Sequence, residues 1–130
     1  MADARQNFAT GTPWEPVFGY SRAVRIGNRV WVSGTSATDA QGRIVEGDAY
    51  AQTKQVLKNI EAALVRAGSS MHDVVRTRIY VVRRDDCDRV GRAHGEAFGA
   101  IRPAAAMVVV SALVDPAMLV EIEADAVVGS

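Results

Sequence analysis

Residues 23–33 read AVRIGNRVWVS and carry the pattern that decides the fold. Two short apolar runs flank Gly27-Asn28, a pair of residues that tolerates positive φ in a two-residue turn. The four residues before the turn and the five after it are therefore predicted to pair as a β-hairpin. This is the clearest element in the chain.

Downstream of the hairpin, hydrophobic periodicity predicts two helices and three more strands. Apolar residues recur at helical spacing in two segments, each preceded by an aspartate able to cap the first turn. Three other segments alternate apolar and polar residues or are short continuous apolar runs, as strands do. The predicted elements are helices from Asp48 to Gly68 and from Asp85 or Asp86 to about Phe98, and strands over 75–82, 104–111 and 119–127.

The element order favours a two-layer α/β sandwich, with a mixed sheet of about six strands and two helices on one face. Residues 1–130 are interpreted as one domain, because 130 residues at 48% hydrophobic content build one full core. Residues 1–19 carry several turn-forming Pro and Gly residues. They are expected to form an irregular arm, anchored by Trp14 and Phe18.

The open face of this sheet is expected to be partly apolar, since residues 107–110 are apolar on both faces of their strand. A monomer would expose that patch to water. Association with copies of the same chain covers it, so the sequence predicts a homo-oligomer.

Composition excludes several classes of function. Fifteen basic and fifteen acidic side chains cancel, which argues against a nucleic-acid partner. The chain has no apolar run of signal-peptide or membrane-span length, so we expect no membrane partner and a cytoplasmic location. Cys87 is the only cysteine, which rules out an internal disulfide and any multi-cysteine metal site.

The last predicted strand carries an acidic row, Glu121, Glu123 and Asp125, at alternate positions. One interpretation is that the row pairs with Arg76 and Arg78 on a neighbouring strand. The other interpretation is a catalytic role for Glu121, which requires that this residue faces a cleft. There a partly buried carboxylate with a raised pKa could position a water or move a proton.

Cys87 and His94 do not make a nucleophile and base. Seven residues on one helix separate them by about 10 Å along the axis. With His72 predicted to face solvent, no zinc site is expected, and the glycines lack the spacing of a phosphate loop. No metal and no nucleotide cofactor is therefore predicted. Ser33, Gly34 and Thr35 end the hairpin and could offer hydroxyls and N–H groups to a ligand, although a plain strand exit explains them equally well.

An ordered set of motifs resembles the RidA/YjgF family of reactive-intermediate deaminases. The motifs span about Gly19 to Val127, and they are more specific for the family and its fold than for an activity. They are RVWVSGT at 29–35, QVLKNIE at 55–61, AG at 67–68, DVVRTRIYV at 73–81, Phe98 with RPA at 102–104, and VEIEA at 120–124.

The resemblance implies a chorismate-mutase-like fold, a homotrimer with clefts between subunits, and hydrolysis of enamines or imines such as 2-aminoacrylate without a cofactor. The family's tyrosine, serine and late glutamate fall on Tyr20, Ser33 and Glu121. Its substrate-clamping arginine falls on Ala105, so the clamp is missing. Loss of a bidentate contact would weaken binding of the usual substrate by several kcal/mol.

Other positions near the implied cleft also depart from the family pattern. Arg92 falls on the second helix, near the position where the family deaminases have an asparagine close to the cleft. It could replace the missing arginine, or it could be an ordinary solvent-exposed arginine of the helix. Thr35 stands where many relatives have glutamine. The segment before Pro103 looks shorter than the corresponding segment of the family's typical members. Backbone groups near Ala105 and Ala106 are expected to orient the substrate.

Three functions follow from these observations. The first is a cofactor-independent hydrolase of the deaminase type with an altered small-molecule substrate, in which Glu121 acts on water. The alternative is a non-catalytic protein that binds or senses a small molecule. Ribonuclease or translation-inhibitor activity, attached to some relatives by name, is disfavoured by the neutral charge and by few aromatic residues.

Overall fold

The computed structural model describes residues 4–130 as a six-stranded mixed sheet with two long helices on one face. The strands lie in the order β1-β2-β3-β6-β4-β5, and only the β4–β5 pair is parallel. The predicted two-layer α/β sandwich is confirmed. The elements are β1 (Gln6–Phe8), α1 (Trp14–Phe18), β2 (Ala23–Ile26), β3 (Arg29–Thr35), α2 (Ala49–Arg66), β4 (Val74–Val81), α3 (Cys87–Phe98), β5 (Ala104–Val109) and β6 (Val120–Val127).

The predicted hairpin is strands β2 and β3. Ala23 pairs with Val32 and Ile26 with Arg29, which leaves a two-residue turn. Gly27 takes the left-handed conformation there, with φ at 60°, a geometry that costs glycine least.

Helix α2 begins and ends where the sequence predicts. The Asp48 side chain accepts a hydrogen bond from the Ala51 amide at 2.9 Å, as an N-cap does. Its inner face buries residues at helical spacing against the sheet, among them Val56, Ile60 and Leu64. Gly68, with φ at 80°, follows its end.

Helix α3 begins differently from the prediction. A short 3-10 turn over Arg84–Asp86 leads into it, and the Asp86 side chain makes no capping hydrogen bond. Asp86 instead accepts from Arg89 at 3.4 Å. The predicted aspartate cap is therefore wrong, because the preceding turn already places Asp86 in a helical conformation.

The N-terminal arm is more regular than predicted. Residues 1–3 lie outside the described part of the chain, whereas β1 and α1 form within the segment expected to be irregular. Trp14 and Phe18 stack on each other but remain 58% and 71% exposed, so they do not anchor the arm. The buried carboxylate of Glu15 holds it instead, by accepting hydrogen bonds from the amide and hydroxyl of Thr10.

Strand β6 divides its side chains between the two faces of the sheet, as predicted. Its even-numbered residues are buried beneath the helices, whereas the odd-numbered ones are half-buried on the open face. Trp31, opposite Asp125, is exposed on that open face, and so is Val108, opposite Tyr80. Exposed apolar groups support the predicted self-association, which remains a prediction.

Candidate active-site cleft

A cleft of about 1230 Å³ opens at the end of the sheet where β3 finishes and β6 begins. Its walls come from the N-terminal arm, the second half of α2 and the loops over 36–44 and 114–118. Of the site residues predicted from the sequence, Tyr20, Gly34, Thr35 and Glu121 line it. One protomer therefore brings together four of the eight predicted site residues.

The floor of the cleft is shaped by an irregularity in the β3–β6 ladder. Val32 pairs with Ala124 but Thr35 pairs with Ile122, so residues 33 and 34 form a bulge. A bulge of this kind bends a strand and redirects its side chains. The bulge places Gly34 directly against Glu121.

Glu121 occupies space that only a glycine at position 34 leaves open. A β-carbon added to Gly34 would lie 3.0 Å from the carboxyl carbon of Glu121. The Glu121 carboxylate accepts no hydrogen bond from residues 4–130 and is half-buried. Burial raises the pKa of Glu121 above the usual 4.5, and the negative charge of Glu123 adds to the effect, whereas the positive charge of Arg22 opposes it.

Ser33 is used within the fold. Its hydroxyl donates to the carbonyl of Ser21 at 2.6 Å, and its amide donates to the carbonyl of Arg22 at 3.0 Å. These bonds tie the bulge to the residues just before β2. A role for Ser33 in binding substrate stays a prediction.

Arg22 is a cleft residue that the sequence reasoning missed. Its Nη1 donates to the carbonyl oxygen of Gly34 at 2.9 Å and to the Thr35 hydroxyl at 3.1 Å. Thr35, which is buried, in turn donates to the Ser33 carbonyl at 2.7 Å. The available signal was the position of Arg22 two residues after Tyr20, whose ring centroid lies 5.9 Å from the guanidinium carbon.

Besides Ser33, three predicted site residues do not line this cleft within one protomer. The guanidinium carbon of Arg92 lies 4.5 Å from the ring centroid of Tyr50, on the outer side of the helices. Ala105 and Ala106 are exposed on the edge strand β5. Ala105 pairs with Thr77 on the neighbouring strand β4. Thr77 is buried, and its hydroxyl lies 2.9 Å from His94 Nε2 on helix α3. Ala105 therefore lies on the side of the sheet that carries the helices.

The rest of the acidic row forms ordinary sheet contacts. Arg78 lies 3.4 Å from both Glu123 and Asp125, and the Tyr80 hydroxyl donates to Glu123 at 2.6 Å. The predicted pairing is confirmed for Arg78, whereas Arg76 forms no salt bridge with the residues described. Glu121 is thus the member of the row that faces the cleft.

Residues 4–130 contain no cluster of three or more His, Cys, Asp or Glu side chains able to hold a metal ion. Burial lowers the pKa of His94, which favours its neutral form beside Thr77. Within the same residues, no helix is both long and apolar enough to cross a bilayer.

Comparison with known proteins assigns the chain to a family. The family model described as endoribonuclease L-PSP matches residues 11–128. The chain belongs to the YjgF/RidA family. The resemblance found in the sequence motifs is confirmed, and with it the chorismate-mutase-like α/β fold.

Several members of the YjgF/RidA family are similar over most of their length. A RutC family protein of Pyrococcus abyssi is 39% identical over 111 residues, which cover 85% of this chain and 87% of that protein. The 3-aminoacrylate deaminase RutC of Acinetobacter baylyi is 38% identical over 113 residues, which cover 86% of this chain and 88% of that protein. The crystal structure of a Mycobacterium tuberculosis member of the YjgF/YER057c/UK114 family matches with a TM-score of 0.88 at 48% identity, covering 96% of this chain and all of that one.

Proposed function

We propose that this protein is a cofactor-independent hydrolase that deaminates a small imine or enamine, with Glu121 acting on the attacking water. One observation carries the proposal. Glu121 is half-buried in a cleft, accepts no hydrogen bond from the described residues, and has a pKa raised by burial. A raised pKa makes a carboxyl group better suited to accept and return a proton. The similarity to a protein named 3-aminoacrylate deaminase agrees with this chemistry.

The reaction needs only water and a group that moves protons. A proton from solvent adds to the enamine carbon and gives the iminium ion. The oxygen of a water then bonds to the iminium carbon, the carbon–nitrogen π electrons move to nitrogen, and Glu121 accepts a proton from that water, which leaves a carbinolamine. Glu121 gives this proton to the nitrogen, the carbon–nitrogen bond breaks to release ammonia, and the remaining hydroxyl returns its proton to solvent as the carbonyl forms. Tyr20 and the backbone at Gly34 and Thr35 orient the substrate beside the carboxylate.

We further propose that the working site is shared between copies in a homotrimer. Glu121 and Tyr20 line the cleft of one protomer, whereas Arg92, Ala105 and Ala106 lie outside it. Apposition of β5 from a second copy would bring the two groups together and cover exposed Val108. Light scattering that gave a monomer mass at working concentration would contradict the shared site.

The test is to generate 2-aminoacrylate in the presence of the protein and to follow release of the keto acid. We expect acceleration over the spontaneous rate, and a loss of about a hundredfold or more in Glu121→Ala and Glu121→Gln. Asp125→Asn is the matched control, since Asp125 lies on the same face of β6 but does not line the cleft. No acceleration by the unaltered protein would contradict the proposal for this substrate.

A binding or sensing protein is the second candidate, and Ala105 is the observation that favours it. Alanine cannot bind a carboxylate as the arginine of the family deaminases does. The variant Ala105→Arg separates the two functions. Keto-acid release by the variant, combined with none by the unaltered protein, would indicate a cleft that binds its ligand without turnover.

A further inference from the structure

Arg22 stands out among the cleft residues because its side chain is held in place by neutral acceptors. Its side-chain hydrogen bonds within residues 4–130 use Nη1 and go to Gly34 and Thr35. Burial opposes ionisation of Glu15, but hydrogen bonds from Thr10 and the positive charge of Arg22 outweigh it and lower the pKa of that carboxyl. Arg22 forms no salt bridge with a carboxylate of residues 4–130. Since a guanidinium carries five N–H donors in a planar fork, the donors on Nε and Nη2 remain available to a ligand.

The main chain of Arg22 is fixed as firmly as its side chain. Its amide donates to the carbonyl of Phe8 at 2.8 Å, and its carbonyl accepts from the amide of Ser33 at 3.0 Å. An anion-binding group held in this way loses little conformational freedom when a ligand arrives.

Arg22 also lies close enough to Glu121 for its charge to act on that carboxyl, although the two form no salt bridge. Arg43 and Arg66 line the same cleft, but neither is among the charges that act on Glu121. Arg66 Nη1 donates to the carbonyl of Ala9, on the arm side of the cleft. Arg22 is hydrogen-bonded to the carbonyl of Gly34, the residue against which Glu121 packs, and is therefore the cleft cation beside Glu121.

We propose that Arg22 is the residue that binds the anionic end of the substrate in this cleft. This inference rests on the proposed function and names a residue that positions its substrate. It also accounts for Ala105, because the substrate's anionic end is bound on the β2–β3 side of the cleft and needs no arginine on β5.

The experiment measures binding without turnover, with pyruvate and its neutral analogue pyruvamide as probes. The readout is the amide NMR signals of Gly34 and Thr35 together with the Nε–H signal of Arg22. We expect pyruvate to move all three signals and to bind at least about tenfold more tightly than pyruvamide, since one charge-assisted contact separates the two probes.

Arg22→Gln should weaken pyruvate binding by about ten- to a hundredfold and leave pyruvamide binding unchanged, with Arg22→Lys in between. Arg25→Gln is the matched control. Arg25 is also an arginine that donates to backbone carbonyls, at Gly27 and Ala67, but it lies outside the cleft. Equal weakening in Arg25→Gln, or unchanged pyruvate binding in Arg22→Gln, would overturn the inference.

Two outcomes with the unaltered protein decide the matter even if Arg22→Gln does not fold. Equal affinity for pyruvate and pyruvamide, or an Nε–H signal that pyruvate does not move, would overturn the role of Arg22. Pyruvate binding that depends on Arg22 without any deamination would refute the proposed hydrolase and leave the anion site standing. Deamination without pyruvate binding that depends on Arg22 would support the proposed hydrolase and refute the anion site at Arg22.

Discussion

The carboxyl carbon of Glu121 lies 3.0 Å from the point where a β-carbon on Gly34 would stand. Real β-carbons rarely come that close to another atom, so an alanine at this position and the observed Glu121 conformation exclude each other. Gly34 is not needed for a left-handed backbone, since its φ is not positive. The glycine is present because of its neighbour on β6.

Gly34→Ala is therefore expected to displace the Glu121 side chain while the fold is retained. We expect deamination to fall by about tenfold or more, because a shift of the order of 1 Å in a catalytic group has effects of that size. Steady-state assay beside a circular dichroism spectrum measures both properties. Adding Glu121→Asp, whose side chain is one methylene shorter, should relieve the clash, whereas full activity in the single variant would show that Glu121 can work from another position.

Glu121→Gln is expected to make the protein slightly more stable at neutral pH. Burial raises the pKa of Glu121 in the folded state, so between the ordinary value of 4.5 and the raised value the folded protein holds more protons than the unfolded chain. Stability is then lost as pH rises through that window, and the glutamine variant does not lose it. Urea denaturation at pH 4 and pH 7 tests this. The free energy of unfolding of the variant should exceed that of the unaltered protein only at pH 7. An advantage of equal size at both pH values would point to packing instead of charge.

His94→Gln is expected to make the stability of the protein less sensitive to acid. Burial lowers the pKa of His94 below 6.5, so below that pH the unfolded chain takes up a proton that the folded protein resists. Stability falls as pH drops from 6.5 to the lowered pKa, and glutamine can keep a hydrogen bond to Thr77 without titrating. Thermal melts at pH 7.5 and pH 5 should therefore differ less in the variant. The control is His72→Gln, at an exposed histidine, and an unchanged pH dependence in His94→Gln would contradict the assignment.

Gly95→Ala is expected to stabilise α3. Gly95 lies inside this helix, and an added β-carbon would meet no atom within 4 Å. Alanine is preferred over glycine in a helix interior by about 1 kcal/mol, and chemical denaturation should show a gain of that order. Because the substitution is the same as at Gly34, it also controls for the effect of the added methyl group. A loss of stability would indicate that a second copy packs against this side of α3.

The elements predicted well are those whose signal is local. The turn at Gly27-Asn28, the cap at Asp48 and the alternation along β6 each depend on residues within a few positions of one another. Periodicity and turn chemistry therefore sufficed for them. Glu121 was found for the same reason, since its alternation with Ile122 already placed it on the open face.

The features that were missed depend on contacts between distant segments. Glu15 fixes the N-terminal arm through Thr10, although the stacked Trp14 and Phe18 were the more conspicuous residues. Arg22 is held in the cleft by the Gly34 carbonyl and the Thr35 hydroxyl, which lie in and next to the bulge after Val32. Neither relationship has a spacing rule that a sequence could reveal. Arg92, placed near the cleft by resemblance alone, contacts Tyr50 within the protomer.

The bulge at residues 33 and 34 has a consequence for how this protein can change during evolution. Removal of residue 33 or 34 would restore regular pairing, because Val32 and Thr35 would then be two positions apart, as their partners Ala124 and Ile122 are. Thr35 would keep its place in the core, whereas the bulge that places Gly34 against Glu121 would be lost. Point substitutions around the cleft can alter the ligand gradually, whereas single-residue deletions here would abolish the site in one step. Lineages derived from this chain are therefore expected to vary in the residues that line the cleft while the number of residues between Val32 and Thr35 stays constant.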